Sequence, residues 1–291
     1  MAEYSIWILN FAEVPDAATS SLIFGRHNAG TQVLPYAYTL LKGHGKTILL
    51  DCGLNAESHG KAFVEKFNVQ KWAHPKDVLG EIGVTPEEID YVILTHAHFD
   101  HMGGLSLFPN ATFMIQSEEL AAWVKIMAMD RKFRWLMGAT DPNDMMEAVQ
   151  LAREGRLLGI DGDADDILPG IDLRVAPDTH TAHSQYVVVR NDGKAVSEDC
   201  YIYTGDLIYR HDNIHGGTPD DPFYVANGLS YGSNTKLLLV TDEIMKTVGN
   251  DIRRVLIPHD QKMAELYPSR TTKRGHYLVE VALANGDASR V

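Results

Sequence analysis

The chain has 291 residues, 45% of them hydrophobic, and a formal net charge of -13. That length allows one large domain or two small ones around an ample core, and the charge argues against a nucleic acid partner, whose binding rests on Lys and Arg neutralising phosphates. No window approaches 18 consecutive apolar residues, and residues 1–11 lack a basic segment followed by an apolar one; no membrane span and no secretory signal are expected, and a cytoplasmic location is the default.

In chain order, residues 4–9 read as a first strand. Residues 12–35, with Pro, Gly, Ser and Asn, read as a long loop, and loops of that length are usually functional or mobile. Residues 36–41 and 46–50 read as two strands joined by Gly43-His44-Gly45, a hairpin signal. Asp51-Cys52-Gly53 closes the second strand. Asp51 either faces a metal site or caps a turn, and the role of Asp in turns favours the second. Cys52 and Cys200 are the only cysteines, too few for a disulfide framework and outside any Cys-x-x-Cys pattern, so both read as free thiols.

A polar helix is expected at about 56–67 and another from Pro75 to about Leu79. Thr85-Pro86-Glu87-Glu88 has the capping-box pattern of a short helix start. The apolar run 91–94 reads as a buried strand, and 112–115 as the next. Residues 117–153 read as Met- and aromatic-rich helices restarting at Asp141-Pro142; the region serves as core packing, as a lid over a site, or as both on opposite faces. Lys125, Arg131, Lys132 and Arg134 form the densest basic cluster.

Residues 157–160 and 171–175 read as strands around the acidic loop 161–166. That loop starts like a calcium loop, but position 12 from Asp161 is Asp172 rather than Glu, so it reads as a solvated turn. Residues 185–190 and 200–204 read as strands, 211–235 as a second long loop, 241–248, preceded by 236–240, as a helix and 254–257 as a last strand. His27, His44, His59, His74 and His276 fall in predicted loops or polar helices and read as exposed; His211 and His215 are candidates to line a pocket.

Chemistry concentrates at Thr95-His96-Ala97-His98-Phe99-Asp100-His101-Met102-Gly103-Gly104. Four potential metal ligands fall within six residues, just after a strand. The pattern of a strand followed by a His/Asp loop recurs at His180, Asp206 and His259. Strand ends along one edge of a sheet can bring such loops together. Seven imidazoles and carboxylates suit two divalent ions better than one structural zinc, which takes four ligands, and this donor set fits Zn, Fe, Mn or Co.

With its His-x-His-x-Asp-His run at 96–101, Asp51-x-Gly53, a later His-Thr, a Gly-Asp after a strand and a final strand-His, the chain resembles the metallo-β-lactamase superfamily. Within it, Asp206 in place of a Cys, and Tyr209 three residues later, resemble the N-acyl-homoserine lactonase-like branch. The resemblance implies an αβ/βα four-layer sandwich with two mixed β-sheets and outer helices. It also implies one domain over 1–291, with a helical insert at about 117–153 over the active site.

By position, the resemblance implies that His96, His98 and His180 bind one metal, that Asp100, His101 and His259 bind a second, and that Asp206 bridges them; Zn2+ is the expected ion. Pro177-Asp178-Thr179-His180 has one residue more than the family motif, so His183 is a rival to His180. The implied reaction is hydrolysis of a lactone to a hydroxy acid, with a metal-bridging hydroxide attacking the carbonyl, Tyr209 stabilising the oxyanion and Asp100 passing a proton to the leaving alkoxide. Candidate substrates are an N-acyl-homoserine lactone or another small lactone, with residues 12–35, 120–150 and 211–235 setting the choice. A glyoxalase II-like thioester hydrolase is the alternative. Partners are limited to the small-molecule ester, with no nucleic acid and no membrane; a homodimer is compatible.

Overall fold

A computed structural model describes residues 2–216 and 220–291; residues 217–219, within the loop expected at 211–235, lie outside it. Among the described residues the strands are β1 (Tyr4–Ala18), β2 (Thr31–Gly43), β3 (Lys46–Leu50), β4 (Tyr91–Ile93), β5 (Thr112–Gln116), β6 (Leu157–Ile160), β7 (Ala164–Leu168), β8 (Ile171–Pro177), β9 (His183–Arg190), β10 (Cys200–Tyr203), β11 (Val255–Leu256), β12 (Ser269–Thr271) and β13 (Tyr277–Ala282). The longest helices are α1 (Ser117–Met127), α2 (Pro142–Arg153) and α3 (Asn234–Thr247).

Two mixed sheets result. One has eight strands in the order β12-β13-β1-β2-β3-β4-β5-β6, and the other five in the order β11-β10-β9-β8-β7. Alternation along the strands explains how they stack. Ile6 and Ile8 on β1, with Val187 and Val189 on β9, share the apolar layer between the sheets. Trp7 and Leu9 point the other way, into a layer with Leu79, Trp123 and Met145 from helices. Tyr186 and Val188 face a third layer with Leu237, Ile244 and Met245 of α3. Strands covered on both faces carry near-continuous apolar runs for this reason. The layers are helix, sheet, sheet, helix, as the resemblance implies.

Local signals hold where the chemistry is local. The β2–β3 connection is His44-Gly45, both at positive φ, as a tight right-twisting hairpin requires. The capping box at Thr85 forms, with Glu88 accepting from the Thr85 N–H at 2.7 Å.

Four expectations are corrected. Most of residues 12–35 is not loop: β1 and β2 continue their pairing out to Ala18 and Thr31. Register shifts at Asn10/Ala12 and Val14/Ala17 make this feasible, and Pro15 lies in the second, where it removes no ladder bond. The acidic loop 161–166 runs into edge strand β7; Asp163 accepts from the Val175 N–H and Asp165 pairs with Arg174. The helix expected at 56–67 is confined to Lys61–Lys66. His276 is buried, its ring bonded to the Lys71 carbonyl at 2.7 Å, and His59 is half-buried against Asp144. Strands β12 and β13 had no counterpart in the sequence reading. Both cysteines are free and buried. Among the described residues no helix is long and apolar enough to cross a membrane.

Candidate metal centre

The strand ends deliver the functional side chains to one edge of the sandwich. His96 and His98 follow β4, and Asp100 and His101 sit on the short helix Phe99–Met102 behind them. His180 follows β8, Asp206 follows β10 and His259 follows β11. Two glycines permit the close approach. A Cβ on Gly205, which has φ +50, would come within 2.5 Å of Thr95 Oγ1, and one on Gly104 within 2.1 Å of the Cys52 carbonyl.

Donor atoms of the seven expected ligands fall into two groups, one of His96, His98, His180 and Asp206, all buried, the other of partly buried Asp100 with buried His101 and His259; His59, Asp144 and Glu147 form a further group among the described residues. Asp206 lies between the first two. Its Oδ2 is 3.3 Å from His180 Nε2 and 3.7 Å from His96 Nε2. Its Oδ1 is 2.9 Å from both His101 Nε2 and His259 Nε2. Asp100 Oδ2 is 3.7 Å from each of those two nitrogens.

Hydrogen bonds behind the rings decide what these atoms can hold. His259 Nδ1 donates to the Pro35 carbonyl at 2.7 Å, and His101 Nδ1 is 2.7 Å from Asp51 Oδ2. Both rings therefore direct Nε2 inward, and the two nitrogens are 3.2 Å apart; without an ion, burial lowers the His101 imidazole, but the Asp206 and Asp100 charges outweigh burial and hold it well above its usual range. His96 Nε2, His98 Nε2 and Asp206 Oδ1 are buried with no well-aligned hydrogen-bond partner. Burial and neighbouring imidazoles hold His96 and His98 well below the usual imidazole range, leaving them neutral. Burial pushes the Asp206 carboxyl up, but His101 and His259 outweigh it and hold it well below the carboxylate range. Inward-directed ring nitrogens around an ionised carboxylate are a donor set that divalent cations fit.

Asp51 is a correction. Rather than capping a turn, its carboxylate accepts from the Thr95 N–H at 2.7 Å, from Tyr203 Oη at 3.0 Å and from His101.

A model of the metallo-beta-lactamase superfamily matches residues 31–245. The chain belongs to this superfamily. It is 25% identical over 230 residues to an N-acyl homoserine lactonase of Bacillus cereus, covering 76% of this chain and 83% of that protein. It is 28% identical over 197 residues to ribonuclease TTHA0252 of Thermus thermophilus, covering 64% of this chain and 38% of that longer protein. The structure of a dizinc quorum-quenching lactonase in complex with a product, N-hexanoyl-L-homoserine, superposes with a TM-score of 0.65 at 16% identity, over 98% of this chain and 97% of that one. A metallo-beta-lactamase fold with buried His/Asp groups consistent with a dinuclear centre is that of a metal-dependent hydrolase.

Above this superfamily's ligand edge lies a cavity of about 770 Å³ with His98, Asp100, His180, Asp206 and Tyr209 at its floor. Tyr209 Oη is 2.5 Å from Asp206 Oδ2, and its ring stacks on His259 at 5.1 Å. Burial, then the Asp206 charge, pushes the phenol well above its usual range, so it stays protonated. Leu22 and Leu34, Trp135 and Met137, and Leu229 and Tyr231 wall the cavity from the three segments expected to set substrate choice; Lys66, Phe67 and Asn68 form a fourth wall that the sequence reading did not foresee.

His183 belongs to neither ligand group, and its backbone N–H goes to Glu119. His211 is buried, with Nδ1 2.7 Å from Asp260 Oδ2, and His215 is exposed; neither lines the cavity. Tyr231 lay unmarked in the 211–235 loop. Its ring is 5.8 Å from that of His98, and its N–H bonds the His180 carbonyl at 3.0 Å. An aromatic in a Gly/Asn loop is the only sequence signal for it.

Proposed function

We propose that the chain is a dinuclear-metal hydrolase that opens a lactone to its hydroxy acid, the substrate being an N-acyl-homoserine lactone or another small lactone. The observation that carries this reading is the division of Asp206: its two oxygens serve two ligand groups directly beneath a cavity of about 770 Å³ that Tyr209 borders. That volume suits a drug-sized ligand, and the aromatic and aliphatic walls suit an acyl chain. In this reading His96, His98 and His180 hold one ion, Asp100, His101 and His259 the other, and Asp206 both.

Two divalent cations, Zn2+ in this reading with Fe, Mn or Co as the other fits, supply Lewis acidity and a water acidified towards neutrality. The protein supplies the rest. Tyr209 keeps its proton and donates it in a hydrogen bond to the ester oxygen as negative charge develops there. Asp100, 3.7 Å from the inward nitrogens of His101 and His259, is where a proton passes to the leaving alkoxide. The cavity walls exclude bulk water and orient the ring.

Metal analysis with a lactone panel, run beside S-acylglutathione and a phosphodiester, tests the reading. Lactone opening with about two ions per chain is expected. Fewer than about one tightly bound ion per chain, with no hydrolysis of activated esters, overturns it. The thioesterase alternative has one observation in its favour: Lys66 and Arg134 line the cavity and offer cations to a glutathione-like carboxylate. Preferential cleavage of S-acylglutathione selects it.

A further inference from the structure

Glu119, in the first turn of α1, is fully buried and has no ion-pair partner among the described residues. Its oxygens accept three hydrogen bonds instead. Oε1 takes the Ala97 backbone N–H at 3.2 Å and Trp123 Nε1 at 2.7 Å, and Oε2 takes the His183 backbone N–H at 2.7 Å.

Two of those donors belong to the ligand loops. Ala97 separates His96 from His98. His183 ends the tight turn that carries His180, a turn closed by the Asp178 N–H to Ala182 carbonyl bond at 2.8 Å. One carboxylate thus pins together the two loops that present three imidazoles of the first group. A buried anion held by neutral donors alone is costly, and a cation a few ångströms beyond those loops would offset the cost. Behind the second group Asp51 acts differently: it bonds the His101 ring itself and the Thr95 N–H at the start of the first ligand loop.

We infer that Glu119 is a positioning residue for the first ligand group: it locks the His96-Ala97-His98 backbone against the His180 turn and supplies buried negative charge, and so sets how tightly that group holds its cation. The inference rests on the dinuclear reading above but is tested without turnover.

Metal-depleted wild type, Glu119→Gln and Glu119→Asp are titrated with Zn2+ by calorimetry and with Co2+ by visible absorption, with circular dichroism confirming the fold. Wild type is expected to take two ions. Glu119→Gln should hold one with unchanged affinity and the other about 10–100-fold more weakly, the usual cost of losing an outer-shell partner. Glu119→Asp, which keeps the charge but reaches less far, should fall between them and gives the same readout should the Gln variant not fold. Two ions at wild-type affinity in either variant overturn the inference, even where thermal stability falls. A wild type that takes no metal overturns the dinuclear reading and this inference with it.

Discussion

Asp206 has more reach than any other single side chain here, because one carboxylate faces both ligand groups. Asp206→Asn should leave fewer than about one tight ion per chain, measured by elemental analysis after dialysis; two retained ions would remove it from the bridging position. Tyr209→Phe keeps the ring on His259 and deletes only the hydroxyl. Metal content should stay unchanged while kcat falls about 10–1000-fold, as for loss of one oxyanion donor; a rise in KM alone would make Tyr209 a binding group. Away from the site, burial lowers the His59 imidazole, but its 2.6 Å contact with Asp144 and that residue's charge outweigh burial and raise it above 6.5. A pKa raised on folding contributes stability fully below the unfolded value and loses it as pH rises through the folded one. Burial pushes the Asp144 carboxyl up to about 7, so the two groups share a proton around neutrality, and the pH dependence of denaturant unfolding between pH 6 and 9 should change in His59→Ala; an unchanged dependence would uncouple the pair. At this scale the sequence was informative because ligands are chemical types. His180 and His183 are the same type three residues apart, and only the turn at Asp178–Ala182, closed by backbone bonds, separates their directions.

At the scale of elements, the wall of the cavity is built from pieces that look unlike what they are. Residues 12–18 and 31–35 carry turn-forming residues yet lie in the β1–β2 ribbon, because the bulges absorb Pro15 and re-aim Leu34 and Tyr36 towards the ligands. Such irregularity is set by cross-strand register, which a single strand's composition does not encode. Strand β7 is hidden for a related reason: its acidic residues are exposed, as read, and only the pairing with β8 makes a strand of them. The segment after α1 behaves differently. Trp135 is 77% exposed yet lines the cavity, with its ring 5.4 Å from that of Tyr231. Trp135→Ala should raise KM for long-chain acyl lactones severalfold and leave an unsubstituted lactone almost unaffected, because roughly 1–3 kcal/mol of apolar contact is at stake. Equal effects on both substrates would place the acyl chain elsewhere.

For the whole molecule, each ligand group spans both sheets: His96 and His98 come from the eight-stranded sheet, His180 and Asp206 from the five-stranded one. Ions bound there would brace the sheets together. Stripping them with a chelator should lower the Tm by on the order of 5 °C, recovered on adding Zn2+ at about a hundred times its Kd; an unchanged Tm would mean that the sheets do not depend on the centre. The recurrence of strand followed by ligand loop made this architecture legible from sequence. The position of β13 was not: residues 277–282 carry an ordinary apolar run, and its seat between β12 and β1 is a contact between distant parts of the chain.

That seat also imposes an order of events during synthesis. β1 is made well before β13, its outer neighbour. The run from His96 to His101 emerges well before His259, by on the order of ten seconds at ordinary ribosomal rates. In that interval four ligands are displayed with no partners and one edge of β1 is bare. The nascent chain is then an open sheet with half of the proposed centre, and tight loading with metal would wait until His259 has joined it.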